Sequence, residues 1–155
     1  MATTNKYLET NKIVGTWQSK RLILDKRNGI KTSYFGKMTI TPEDRLSMKR
    51  GQGGNNAFIS LLLSEDGNLT YNNRTYQFSQ KYRLHLFEER CEIFFNNKFM
   101  FFSIDRLSET QEIRHVCKLD QYIGQIVFVN ESAFLLSFTV AGPKKAYYLK
   151  VLYKR

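Results

Sequence analysis

Apolar and polar positions alternate along most of this chain with a period of two, the repeat of a half-buried β-strand. The pattern predicts strands over 14–24, 30–41, 58–64, 69–72, 75–87, 91–95, 98–105, 111–118, 122–129, 134–140 and 146–153. Turn signals separate them. Asn28-Gly29 supplies the positive φ angles of a tight hairpin, Pro42 ends the second strand, and Glu65-Asp66-Gly67-Asn68 reads as a turn. Asn96-Asn97 reads as a hairpin turn, and 43–56, with Gly51, Gly53 and Gly54, as a long polar loop. Helix is confined to a turn or two around 5–11. Short strands at this spacing predict an all-β fold, a single antiparallel up-and-down barrel with little helix.

Alternation also assigns the faces. In the last strand Tyr147, Leu149, Val151, Tyr153 and Arg155 share the more apolar side, which is predicted to face inward. Phe134, Leu136, Phe138 and Val140 do so in the strand before. The inward set of 75–87 is Tyr76, Phe78, Gln80, Tyr82, Leu84 and Leu86, leaving Lys81, Arg83 and His85 outside. Ile113, His115 and Cys117 share one face, and Arg21 is in phase with Trp17 and Ser19. Burying Arg or His is costly unless it is paired or hydrogen-bonded. The interior is therefore expected to hold a polar network or a wet cavity. At the two ends, Gly15-Thr16-Trp17 opens the first strand and Arg155 ends the last. A guanidinium laid across the indole would close one end of the barrel.

Composition narrows the class. With 155 residues, 42% of them hydrophobic, and two prolines, the chain fits one folded domain, read as 12–155 behind a polar lead at 1–11. No apolar run reaches the length of a membrane helix, and the first residues lack a secretion core, so the expected location is the cytoplasm or another intracellular compartment. Two cysteines, Cys91 and Cys117, are too few for a disulfide scaffold. The formal charge of +10 favours an anionic contact, such as an acidic protein partner or a larger assembly. The cations are scattered rather than blocked, which disfavours nucleic acid.

No phosphate-binding loop, nucleophile elbow or paired-carboxylate motif is present. His115 and Cys117 offer two metal ligands where a site needs three or four, so neither a metal nor a cofactor is expected. Residues two apart on a strand stand about 6–7 Å apart, too far for a Cys–His dyad. Asp120 could cap its turn or orient His115. Lys144 and Lys145, after Gly142-Pro143, sit at a hairpin rim.

The motifs His115-x-Cys117-x-x-Asp120-x-Tyr122-x-Gly124 and Gly142-Pro143-x-Lys145-x-Tyr147 resemble the signature of DUF6314, a domain-of-unknown-function family of small single-domain proteins. Gly15, Trp17 and Arg21 match its early Gly-x-Trp and Arg, and Tyr153 with Arg155 its ending. More distantly, the ends resemble calycin barrels, the lipocalin and fatty-acid-binding group. The resemblance implies a barrel around a cavity and transfers no ligand or reaction. The expected function is a non-enzymatic barrel binding a small apolar ligand with a polar handle. Arg21, Gln80, Tyr82, His115, Tyr122, Lys145 and Tyr147 are the candidate contacts, supported by Asp120 and Cys117. Gly15, Trp17 and Arg155 are the candidate closure. Two alternatives stand beside it: an accessory subunit of an assembly, and an enzyme working through His115 and Asp120.

Overall fold

The computed structural model describes residues 8–43, 48–50, 57–95 and 99–155. One helical turn, α1 (Thr10–Ile13), precedes the strands β1 (Gly15–Asp25), β2 (Lys31–Pro42), β3 (Met48–Arg50), β4 (Ala57–Tyr71) and β5 (Arg74–Leu86). Then come β6 (Arg90–Phe95), β7 (Phe99–Asp105), β8 (Thr110–Cys117), β9 (Asp120–Asn130), β10 (Ala133–Ala141) and β11 (Ala146–Lys154). The antiparallel strand order is β7-β6-β5-β4-β2-β1-β11-β10-β9-β8, with β3 added against β4. The ten strands of this path curl into a nearly closed, calycin-like up-and-down barrel.

Local chemistry explains the corners. The β1–β2 hairpin closes through Asp25, whose Oδ1 accepts from the Arg27 N–H at 2.9 Å, and through Gly29 at φ 71°. Asn72 and Asn73 take φ of 49° and 58° between β4 and β5, the left-handed pair that a two-residue hairpin needs.

Two elements differ from the sequence reading. Residues 65–68 do not turn; they lie in the middle of β4, which runs unbroken for 15 residues. Gly67 pairs with Gly36 across the β2–β4 ladder. A Cβ on Gly67 would stand 2.3 Å from the Phe35 carbonyl oxygen, and one on Gly36 2.0 Å from the Tyr34 hydroxyl oxygen. The glycines are there because the Tyr34 ring crosses both strands, not because the chain bends. The second difference is β3, within the stretch expected to be all loop. Its backbone pairs Met48 with Ile59 and Arg50 with Ala57. The expected glycine loop at 51–56, the turn at Asn96-Asn97 and the lead before residue 8 lie outside the described residues.

The inward faces follow the alternation. Met38, Ile40, Leu84, Leu86, Phe138, Val140, Val151 and Tyr153 are buried. Tyr76 is one exception, since β5 runs past the body there and leaves it 48% exposed. At one end Trp17 is 3% exposed and donates its Nε1–H to the Ile13 carbonyl at 2.9 Å. The Arg155 guanidinium lies 4.9 Å from its ring centre and donates to the Lys12 carbonyl. Gly15, at φ 128°, would bring a Cβ 3.7 Å from that guanidinium. A second cation, Arg106, fills the same end: its Nε donates to the Leu8 carbonyl at 2.7 Å and its Nη1 to the Phe87 carbonyl.

Among the described residues no backbone ladder joins β7 to β8. The seam is bridged by a side chain. The Gln111 Nε2 donates to the Asp105 carbonyl, and its Oε1 accepts from the Asp105 N–H, both at 2.7 Å. The amide thus stands in for a backbone rung.

Candidate ligand cavity

The barrel encloses a cavity of about 290 Å³. That is room for about ten waters, at about 30 Å³ each, and sits at the small end of ligand pockets. Its wall is mostly apolar: Met38, Ile40, Ile93, Phe102, Ile126, Leu136 and Phe138 among others. Lining side chains toward the end opposite Trp17, including Phe95, Phe101, Tyr122 and Tyr147, stay partly exposed.

Polarity enters from one side. Arg21, Gln80 and Tyr82 line the cavity, with Tyr153 beside them. Glu65 stands close by, 1% exposed, and its Oε2 accepts from Arg21 Nη2 at 3.1 Å. The Tyr153 hydroxyl reaches the same oxygen at 3.5 Å. The guanidinium also lies 5.3 Å from the Tyr34 ring centre and 5.4 Å from that of Phe78. Desolvation raises the Glu65 carboxyl above the ordinary carboxylate value, and Arg21 draws it back down. Burial keeps the Tyr82 and Tyr153 phenols neutral well past their usual range. The Arg21 Nε and Glu65 Oε1 are buried and have no hydrogen-bond partner among the described protein groups.

Glu65 was hidden by its surroundings in sequence. Glu-Asp-Gly-Asn is turn chemistry, and only the Gly36–Gly67 pairing reveals a strand whose alternation points Glu65 inward. Arg106 was missed too, because it lies in the connection between β7 and β8, where period two gives no face.

The remaining candidates gather at the far end. Tyr122 pairs in register with His115 and Val140, and Val140 with Tyr147. The two late sequence motifs are therefore spatial neighbours. The Asp120 Oδ2 pairs with Lys145 Nζ at 3.1 Å. A Cβ on Gly142 would stand 1.9 Å from Asp120 Oδ1, so any side chain there would displace the carboxylate from this position. The hydrogen bond to Asp120 raises the Lys145 ammonium, while burial and the nearby Tyr122 push the Tyr147 phenol up to about 12. Tyr122 and Tyr147 line the cavity; Lys145 sits exposed at the rim.

His115 is not part of the wall. It packs 5.0 Å from the Phe101 ring centre and 5.6 Å from that of Tyr122, and burial alone lowers its pKa. Asp120, read from the sequence either as a turn cap or as a group orienting His115, forms its ion pair with Lys145. Cys117 is exposed, because β8 leaves the body at its last residues. Among the described residues no three or more His, Cys, Asp or Glu side chains cluster as metal ligands, and no helix is long and apolar enough to cross a membrane.

Fold and cavity define a calycin-like β-barrel with an internal pocket. Within that class the chain belongs to DUF6314, a family of unknown function, whose sequence model matches residues 13–155. No curated protein matches it in sequence. Among solved structures it is similar to the S-type phycobiliprotein lyase CPES from Guillardia theta, with TM-score 0.59, 13% identity, and coverage of 92% of this chain and 86% of that one. It is also similar to a protein of unknown function from the DUF3598 family of Nostoc punctiforme, with TM-score 0.49, 10% identity, and coverage of 97% and 50%. A third is a redesigned β-barrel, mFAP1, bound to DFHBI, with TM-score 0.46, 12% identity, and coverage of 94% and 96%.

Proposed function

We propose that the protein is a non-enzymatic intracellular barrel that holds one small, largely apolar molecule by a polar handle. The observation that supports this best is the cavity itself. It has about 290 Å³ of mostly apolar space, with hydrogen-bonding groups from Arg21, Gln80 and Tyr82 on one side. An apolar body gains from desolvation there, and the few polar groups fix its orientation. The Guillardia theta barrel, named a phycobiliprotein lyase, supports the architecture alone at 13% identity.

Native mass spectrometry of protein purified gently from its own source tests the reading. The expected result is a co-purifying small molecule that is lost in Leu136→Trp, where the larger ring fills the cavity. A bare monomer in both proteins overturns it.

A second reading, an accessory subunit, is favoured by the outer face of β2, β1 and β11. Lys20, Lys37, Lys150 and Lys154 are exposed there and form no salt bridge with a described carboxylate, beside exposed Leu22, Phe35 and Leu152. An acidic partner retained in the same native spectrum, with an empty barrel, would support that reading instead.

A further inference from the structure

The outside of this protein is strongly basic and the polar side of its cavity is not. The formal charge is +10, yet the one guanidinium that described residues place in the cavity wall is already paired with a buried carboxylate, Arg21 Nη2 to Glu65 Oε2 at 3.1 Å. The other polar lining groups are an amide and phenols: Gln80, Tyr82, Tyr122, Tyr147 and Tyr153. Burial holds three of those phenols, Tyr82, Tyr147 and Tyr153, in the neutral form beyond their ordinary range. The interior charge is thus balanced by the protein's own residues before anything binds.

We infer that the cavity selects uncharged molecules bearing a hydrogen-bond-accepting oxygen, and discriminates against carboxylates and other anions. The inference rests on the ligand-binding reading above and names the class of ligand. Two costs fall on an anion. It must shed its water to enter an apolar wall, and it meets a guanidinium whose charge Glu65 has neutralised, with that carboxylate next to it. A neutral carbonyl sheds its water at a far smaller cost and carries no charge for that carboxylate to repel. It finds donors in the Gln80 amide and the Tyr82 hydroxyl, both in the cavity wall. The surroundings suit a flat, conjugated body, since Phe95, Phe101, Phe102, Phe134 and Phe138 all line the space.

The test uses two fluorescent probes of nearly one shape. One is Prodan, a dimethylaminonaphthalene carrying a propionyl ketone. The other is its naphthoate analogue, in which a carboxylate replaces the ketone. Titrated into the full chain at neutral pH, Prodan is expected to bind at least tenfold more tightly. In Glu65→Gln, which frees the Arg21 charge, the preference is expected to fall at least tenfold through a gain in naphthoate affinity. Equal or tighter naphthoate binding by the wild-type protein overturns the inference and leaves the ligand-binding reading intact. So does a Glu65→Gln protein with an unchanged ratio. Failure of both probes to bind the wild-type protein, or binding that Leu136→Trp does not weaken, overturns the reading itself. Should Glu65→Gln not fold, the wild-type ratio decides.

Discussion

Removing Arg21 strands the buried Glu65 carboxylate, whose ion pair among the described residues is with Arg21. Arg21→Met is therefore expected to cost about 3–5 kcal/mol in urea unfolding, as for other broken buried pairs. Arg21→Met with Glu65→Met should recover most of that loss, because no buried charge is then left uncompensated. A double variant no more stable than the single one would show that the pair is not the unit of stabilisation. Gly67→Ala presses a methyl group against the Phe35 carbonyl at 2.3 Å and is expected to cost about 1–3 kcal/mol by overpacking. Unchanged unfolding would mean the Gly36–Gly67 crossing is loose. These residues also mark the limit of sequence reading. Arg21, Gln80 and Tyr82 were legible as inward polar groups because their strands alternate cleanly. Glu65 was not, because the glycine beside it admits two explanations in sequence, a turn or a close ring, and only the Tyr34 ring decides between them.

At the scale of elements, the strand pattern was legible nearly everywhere that polar turns separate alternating runs. It failed where β4 runs straight through turn chemistry, and at β3, whose three residues are too few to show a period. The ends of β1 and β11 carry separable loads. Trp17→Ala removes a buried indole and is expected to cost about 3–5 kcal/mol. Arg155→Ala loses an exposed cation over that ring and should cost only about 0.5–1 kcal/mol. Urea unfolding of the two variants checks the difference, and a reversed order would contradict the packing described. At the β7–β8 seam, Gln111→Ala removes both hydrogen bonds to the Asp105 backbone. Hydrogen exchange is expected to accelerate at the Asp105 amide and its neighbours while the β1–β11 amides keep their protection. Uniform acceleration would mean the seam does not open on its own.

Across the whole molecule, neutral phenols built into the wall tie stability to alkaline pH. Tyr147 is held up to about 12, and Tyr82 and Tyr153 are raised as well, whereas an unfolded tyrosine ionises near its ordinary value of 10.0. Between those limits the folded chain binds more protons than the unfolded one, so stability falls as pH rises. It is expected to be unaffected by these groups below about pH 10 and to decline through about pH 12. Phenolate absorbance followed together with circular dichroism checks this: the wall tyrosines should ionise as the barrel unfolds. Independent ionisation of every tyrosine near pH 10, with the barrel intact, would contradict a dry polar side to the cavity.

The ladder between β1 and β11 pairs Gln18 with Lys154 and Asp25 with Tyr147, in the interior of the sheet order rather than at its edge. The other ladders join strands that follow one another closely in the chain. Hairpins can therefore zip in two separate runs, one ending at β7 and one beginning at β8. The rung that fastens the runs together must await an encounter between the chain's most distant strands. Loop-closure entropy makes such an encounter slow relative to local pairing. The topology thus predicts that the barrel closes last by docking of two ribbons, and a ribbon waiting for its mate would expose the faces of Trp17 and Tyr153 to any other chain nearby.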